Sequence, residues 1–237
     1  MLQYSPNGMA LEEKNIIDIK SAAKFGYNHA LPYIIGQNTD YSSFMFESFE
    51  NTYDGIQKFE DAFTVDQEIA TQSNQESHTG KSSLQLLSSS VQLNLMSISP
   101  TDQIWQEGGI CKTWVKSDIL DRAQLASNFS LSTESGNIGD FREVARSGDW
   151  VLLECEFDPI VSGQSAEIVL NYTSSNANLV YIDDLKIHPI NAAVVAHVYD
   201  REDYKLIASF DDQHFASIYQ YNEEAVSYTH LTLPTKA

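Results

Sequence analysis

Apolar and polar residues alternate along most of the chain between positions 46 and 189. Leu84 and Leu86 flank one polar residue, and Val91, Leu93 and Leu95 alternate with polar residues in the next segment. A period of two places such side chains on one face of a β-strand. Similar short segments occur at 46–50, 56–65, 109–116, 125–131, 150–157, 167–172 and 179–187. With turn formers between them, these segments predict an all-β fold, a jelly-roll β-sandwich.

The flanking segments carry weaker patterns. Residues 1–45 mix turn formers with isolated apolar residues, so we expect a short irregular N-terminal segment, either a connector or the end of an upstream domain. After Pro189, apolar runs at 193–199, 206–210 and 217–221 predict a C-terminal β-hairpin extension. The expected organisation is therefore a segment at 1–45, a sandwich module at 46–190 and a hairpin segment at 191–224.

The last residues resemble a translated sequencing adapter. Residues 226–235 read Val-Ser-Tyr-Thr-His-Leu-Thr-Leu-Pro-Thr, which matches in order the translation of the adapter used in transposase-based library preparation. We therefore expect residues 225–237 to be a read-through artefact and the chain to be a fragment of a longer protein. The alternative is that these residues form a natural edge strand and tail.

The charge balance narrows the classes of partner. The chain of 237 residues has a formal net charge of −19, which argues against nucleic acid, whose phosphates require clustered Lys and Arg. A neutral or cationic partner, such as a sugar or calcium, fits an acidic surface better. No apolar run approaches the roughly 20 residues of a membrane span.

Several short motifs within the predicted sandwich resemble a known family. They are, in chain order, Phe49-Glu50, His78-Thr79-Gly80-Lys81-Ser82-Ser83-Leu84, Thr113-Trp114-Val115-Lys116, Gly148-Asp149-Trp150 and Tyr181-Ile182-Asp183-Asp184-Leu185. Together they look like the carbohydrate-binding modules of the galactose-binding-like jelly-roll class. This resemblance implies a non-catalytic module that commonly holds a structural calcium ion and often belongs to a large secreted protein.

Asp183 gives the calcium prediction a second basis, in the residues themselves. If side chains alternate along the last strand, Asp183 shares a face with Leu185 and Ile187. A buried carboxylate is unfavourable unless hydrogen bonds or a cation compensate it, and Ca²⁺ prefers carboxylate and carbonyl oxygens. Asp183 is therefore a candidate metal ligand.

The resemblance adds Glu50 as a second metal ligand, together with backbone oxygens near the 78–81 motif. The competing interpretation also stays open. In that interpretation Asp183 accepts hydrogen bonds from backbone amides at the end of the sheet, and Asp184 is a solvated surface charge.

Aromatic residues are the candidates for sugar contact, because sugar rings stack on flat apolar faces. Alternation places Trp114 on the same face of its strand as two lysines and on the face opposite Val115, which indicates a position outside the core. Trp105 lies in a polar loop. We expect Trp105 and Trp114 either to bind carbohydrate or to pack in the core, while Trp150 resembles the structural tryptophan of the family.

The sequence lacks the usual signatures of catalysis. It contains no nucleophile elbow, phosphate-binding glycine loop or zinc-protease motif, so we expect no enzyme activity. Cys111 and Cys155 share parity with apolar neighbours. They either form one disulfide, if their strands adjoin, or remain buried thiols.

A second resemblance concerns the C-terminal segment. Tyr199-Asp200 and Tyr221-Asn222 look like two units of the tyrosine-aspartate repeat of Rhs-type proteins, in which repeated hairpins build extracellular shells. Residues 21–27 followed by 46–51 also look like modules that precede such repeats in large secreted proteins of Bacteroidetes. These likenesses imply an extracellular or cell-surface location.

Two functions follow from these observations. The first is a carbohydrate-binding-like module that recognises a glycan. The second is a structural spacer of an Rhs-like extracellular protein, whose partners are the neighbouring domains of the same long chain.

Overall fold

The fold is all-β, as the pattern predicts. The computed structural model describes residues 3–5, 7–50, 64–99, 103–117, 124–160, 165–175 and 179–222, together with the backbone of 227–231 and 235–236. Within these ranges the regular structure consists of β-strands and two short 3₁₀ turns. Most of the strand predicted at 56–65 lies outside the described residues.

Strands from the predicted sandwich form two sheets, which we name the middle sheet and the short sheet. The strands of the middle sheet are β5 (Met45–Glu47), β6 (Ala70–Ser73), β7 (Ser83–Leu86), β9 (Gly109–Ser117), β12 (Arg142–Ser147), β13 (Trp150–Phe157), β15 (Val180–Pro189) and β20 (Thr235–Lys236). Those of the short sheet are β8 (Ser90–Ile98), β10 (Phe129–Thr133), β11 (Gly136–Asp140) and β14 (Ala166–Thr173). The middle sheet has the order β20-β12-β13-β9-β15-β7-β6, with β5 also paired to β15, and the short sheet has the order β11-β10-β14-β8.

A third sheet, which we name the outer sheet, combines both ends of the chain. Its strands are β1 (Gln3–Tyr4), β2 (Ala10–Lys14), β3 (Lys20–Gly26), β4 (Leu31–Gln37), β16 (Ala193–Tyr199), β17 (Leu206–Phe210), β18 (Ala216–Tyr221) and β19 (Ser227–Leu231). They pair in that order, and the two groups meet where β4 pairs antiparallel with β16. The structure thus differs from the irregular N-terminal segment expected from the sequence. The reason is that β3 and β4 bury few large side chains, so their apolar alternation is faint.

The middle sheet lies between the other two and separates two cores. The first core, against the short sheet, includes Val115, Leu153 and Ile182, and the second core, against the outer sheet, includes Trp114 and Leu152. Neighbouring residues of one strand therefore enter different cores. Because both faces are covered, every residue of β15 is buried.

An irregularity in β15 changes which side chains share a face. The register between β15 and β9 shifts between Asp183 and Lys186, and Asp184 has a φ of +50°. Such a bulge reverses the parity of the strand. Leu185 and Ile187 consequently belong to the first core, whereas Tyr181, which has the parity of Asp183, belongs to the second. The expectation that Asp183 shares a face with Leu185 and Ile187 was wrong for this reason.

The two cysteines lie directly opposite each other on adjoining strands. Cys155 of β13 pairs in register with Cys111 of β9, and both are buried free thiols. Burial raises the pKa of Cys155 to about 12.

Candidate functional site

The candidate site is centred on the turn between β6 and β7, at residues 78–82. Gly80 has a φ of +64° there, a backbone conformation that favours glycine. Three buried carboxylates contact this turn, those of Glu50, Asp183 and Asp184. Glu50 follows β5, whereas the two aspartates lie in β15, so the turn joins distant parts of the chain.

Glu50 binds the second half of the turn. Its Oε1 accepts hydrogen bonds from the backbone N–H groups of Lys81 and Ser82, each at 2.7 Å. Burial raises the pKa of Glu50 to about 7, and the negative charge of Asp184 contributes to the rise. A Cβ atom at Gly80 would lie 2.2 Å from Glu50 Oε1, so the carboxylate occupies space that only glycine leaves open.

Asp183 binds the first half of the turn. Its Oδ2 accepts hydrogen bonds from the backbone N–H groups of His78 at 2.7 Å and Thr79 at 3.2 Å, while Oδ1 accepts from the N–H of Asp184 at 2.8 Å. Burial, followed by the charge of Asp184, raises the pKa of Asp183 well above its usual range. This is the amide-binding arrangement that the sequence left open as the alternative to calcium.

Asp184 is fully buried, which corrects the expectation that it is a solvated surface charge. Its Oδ2 lies 2.7 Å from Nδ1 of His78, and its Oδ1 accepts a hydrogen bond of 2.7 Å from the hydroxyl of Thr79. The bulge in β15 turns Asp184 towards the second core. Burial raises the pKa of Asp184, although the bond to His78 opposes the rise.

His78 is held between the carboxylate and an aromatic surface. Its ring stacks on Trp114 with a centroid distance of 4.0 Å and an interplanar angle of 15°. The ring centroid of Trp150 lies 5.8 Å from that of His78, in an edge-to-face arrangement. Only 7% of the His78 side chain is exposed. The orientation of the imidazole is therefore fixed by both its ring face and its Nδ1 atom.

A pocket of about 290 Å³ lies between this turn and the outer sheet. Residues 78–81 form its polar side, and Ile207 of β17 with Ile218 and Tyr219 of β18 form its more apolar side. At the rim, Nζ of Lys81 lies 2.8 Å from Oδ2 of Asp200. The pocket is therefore built by the middle and outer sheets together.

The two tryptophans predicted to contact sugar are buried. Trp105 is 0% exposed and Trp114 1% exposed. Trp105 stacks on Phe157 in the first core, and Trp114 supports His78 from the second. Neither offers an open stacking surface, so core packing, the alternative already considered, describes both.

The predicted metal ligands Glu50 and Asp183 do come together at one turn. However, the hydrogen bonds described above engage Glu50 Oε1 and both oxygens of Asp183 with N–H donors. Within the described ranges, no group of three or more His, Cys, Asp and Glu side chains has the arrangement of a metal site. The chemistry of the donors suits Ca²⁺, whereas their present partners are amides.

Several residues of the pocket were missed because they meet only in three dimensions. The 78–81 turn and Tyr199-Asp200 were both recognised as motifs, but nothing in the sequence indicates that Lys81 contacts Asp200. Ile218 and Tyr219 were predicted only as part of a strand. The hydrophobic alternation in the strands of the outer sheet is weak, so the sequence did not indicate that these strands form a third layer.

A histidine bonded to an aspartate also occurs in catalytic sites, where the histidine activates a nucleophile. Here the hydroxyl of Thr79 is bonded to Asp184 itself. In the part of the chain that the structure describes, no hydroxyl or thiol bonds the Nε2 atom of His78.

Comparisons with known proteins identify a likeness to solved structures. No family model matches the chain, and no curated protein matches it. Among solved structures, the CBM22-1 xylan-binding domain of Xyn10C from Paenibacillus barcinonensis is similar, with 16% identity and a TM-score of 0.38. The alignment covers 61% of this chain and 92% of that domain. Because the TM-score is low, the description of the fold rests on the strand pairing of this chain.

The described residues include no helix with the length and apolar character needed to cross a membrane.

Proposed function

We propose that the chain is a non-catalytic carbohydrate-binding-like module that holds its ligand in the pocket between the 78–81 turn and the outer sheet. The pocket is the observation that carries this proposal. It combines an apolar wall with convergent polar groups, which is the usual composition of a small-molecule site. The acidic charge of the chain also favours a neutral ligand over a polyanion.

The lining of the pocket suits the two kinds of surface of a sugar. The C–H face of a sugar ring can pack on Ile207, Ile218 and Tyr219, which are partly exposed. The hydroxyl groups can bond Lys81 and Asp200, which supply donors and acceptors at the rim. These contacts replace the stacking on tryptophan that the sequence predicted.

The proposal includes an extracellular or cell-surface location within a larger protein. Its support is the likeness of the sequence motifs to secreted carbohydrate-binding modules and Rhs-type proteins. The pairing of β16, β17 and β18 as successive antiparallel strands is compatible with Rhs-type hairpins.

A glycan array followed by calorimetry on the whole chain tests the function. We expect the Ile218→Trp variant, which fills the pocket, to weaken glycan binding at least tenfold. The matched control is Val195→Trp, because Val195 is an exposed residue of the same sheet and does not line the pocket. Absence of binding to every glycan, or equal binding by both variants, would contradict the proposal.

The competing function is a structural spacer without a ligand. The burial of both Trp105 and Trp114 favours it, because it removes the two most obvious stacking surfaces. If a correctly folded chain bound no glycan on the array, this result would support the function as a structural spacer.

Calcium remains a second part of the proposal. Its support is the concentration of Glu50, Asp183 and Asp184 in a buried region, where desolvation raises the pKa of each. Bound Ca²⁺ would neutralise these carboxylates in place of the amide donors. We expect excess Ca²⁺ to raise the melting temperature and a chelator to reverse the rise. The control is Asp183→Asn, which should lose the response; an unchanged wild-type melting temperature would exclude the ion.

A further inference from the structure

We propose that the pocket receives the end of a glycan chain, a single terminal sugar residue, and that His78 recognises a hydroxyl group of that residue. This inference rests on the proposed carbohydrate-binding function. It concerns which part of the glycan is bound and which atom of the protein selects it.

The size of the pocket favours one sugar ring. A pocket of about 290 Å³ lies at the lower end of the range for small-molecule sites, which fits one sugar ring. Residues of the 78–81 turn line one side of it, and residues of β17 and β18 line the other. One ring at the end of a glycan chain therefore fits this space.

His78 supplies a polar atom to the pocket. In the neutral imidazole, a hydrogen on Nδ1 is donated to the carboxylate of Asp184 and Nε2 is an acceptor. No described residue bonds Nε2, and His78 lines the pocket although only 7% of its side chain is exposed. Nε2 is not one of the fully buried polar atoms that lack a partner, so a ligand hydroxyl in the pocket can donate a hydrogen bond to it.

The rim supplies the second contact. The Lys81 side chain is 59% exposed and that of Asp200 is 17% exposed, so the pair is accessible from solvent. A terminal sugar can bond His78 with one hydroxyl and the Lys81–Asp200 pair with another. The hydroxyl group at the free end of a terminal ring is available for one of these bonds, whereas in a ring linked at both ends that oxygen is part of a glycosidic bond.

Calorimetry with the whole chain tests the inference. The probes are D-xylose, D-glucose and D-galactose, their β-1,4-linked tetrasaccharides, and tetrasaccharides O-methylated at one terminal residue or the other. We expect one-to-one binding, less than threefold difference in affinity between a monosaccharide and its tetrasaccharide, and loss of at least tenfold with one of the two methylated forms.

The outcomes separate this inference from the proposed function. Affinity that rises more than tenfold with chain length, or unchanged binding of both methylated forms, overturns the end-on mode while glycan binding stands. Failure of all probes and of the array overturns both.

A variant tests the role of His78. His78→Phe retains a ring on Trp114 and removes both nitrogens, and we expect at least tenfold weaker binding of monosaccharide and tetrasaccharide alike. Because this change also disturbs the packing around the ring, Trp150→Phe serves as the control: Trp150 packs against the His78 ring, does not line the pocket, and its replacement leaves Nε2 intact. Equal losses in the two variants would overturn the role of Nε2.

Discussion

Gly80 and Glu50 depend on each other. The glycine has positive φ and leaves the space that the Glu50 carboxylate fills, and that carboxylate in turn binds the two following N–H groups. The conformation of Gly80 and the position of the Glu50 side chain therefore require each other. The order of the 78–81 turn, and hence of the pocket floor, follows from this pair.

Substitution of Gly80 by alanine should therefore be severe. We expect Gly80→Ala to lower the free energy of unfolding by about 3–4 kcal/mol, because left-handed strain and displacement of Glu50 add together. Gly8→Ala is the control, since Gly8 has a φ of +79° with no atom within 4 Å of an added Cβ. It should lose only about 1–2 kcal/mol. Denaturant unfolding measures both, and equal losses would show that the Glu50 contact is unimportant.

The raised pKa of Glu50 predicts a dependence of stability on pH. Its pKa is about 7 in the folded chain against an ordinary 4.5, so the folded chain binds a proton more tightly. The stabilisation linked to this proton is complete below about pH 4.5 and is lost as pH rises through about 7. Relative to Glu50→Gln, wild type should lose on the order of 3 kcal/mol across this window in calcium-free buffer. A constant difference between the two proteins would refute the shift.

Some residues of the site were identified from the sequence. Glu50 came from the family resemblance, and Asp183 came from its expected burial, which the structure has although the face expected for it was wrong. The two residues meet at one turn. The parity of Trp114 was also correct, because it lies on the face opposite Val115. The error was to equate that face with solvent, since a third layer covers it. The prediction of which face a side chain occupies was wrong only at the bulge around Asp184, and no hydrophobic pattern indicates that bulge.

Strand β15 links the middle sheet to the outer sheet through a buried lysine. Nζ of Lys186 donates hydrogen bonds to the carbonyl oxygens of Val194, Asp211 and Asp212, at 2.9 to 3.2 Å. These acceptors belong to the outer sheet and to the connection after β17. Burial, with the nearby charge of Lys112, lowers the pKa of Lys186 to about 7.

This lysine should make stability increase with pH. Its folded pKa lies below the ordinary 10.5, so its contribution is complete above about pH 10.5 and is lost as pH falls through about 7. Between about pH 7 and 9.5, wild type should gain on the order of 3 kcal/mol relative to Lys186→Met. Thermal melts at the two pH values measure the difference. Lys14→Met, on exposed β2, should show the wild-type slope; the same slope in Lys186→Met would contradict the prediction.

Strand alternation predicted some elements far better than others. β8 alternates clearly because one of its faces is solvated, and its burial follows the predicted pattern. β9, β13 and β15 are buried on both faces, so polar residues within them no longer mark the surface. Lys112, for example, is buried and paired with Glu154 at 3.0 Å. Such an ion pair depends on the neighbouring strand, so it cannot be predicted from the sequence of one strand alone.

The whole molecule depends on a sheet shared by two cores. Removing the outer sheet would expose the large second-core side chains of the middle sheet, which are Phe46, Trp114, Trp150, Leu152 and Tyr181. Large exposed apolar patches promote association. The segment predicted at 46–190 is therefore not expected to behave as an independent unit.

Size-exclusion chromatography with light scattering can test this expectation. We expect a fragment of residues 46–190 to associate and to bind a hydrophobic dye, whereas the whole chain stays monomeric under the same conditions. The fragment should also lose the pocket, because Ile207, Ile218 and Tyr219 are absent from it. A monomeric fragment with the melting temperature of the whole chain would show that the second core contributes little.

The pairing of β4 with β16 has an architectural consequence. Gln37 and Ala193 are direct partners in that pair, so everything from 38 to 192 is, topologically, the loop of one antiparallel hairpin. The jelly roll is thus an insertion whose entry and exit points are neighbours. A hairpin of this kind can gain, exchange or lose an inserted domain without a change in its own strand order. The outer sheet therefore brackets the inserted jelly roll, and the pocket lies where the two meet.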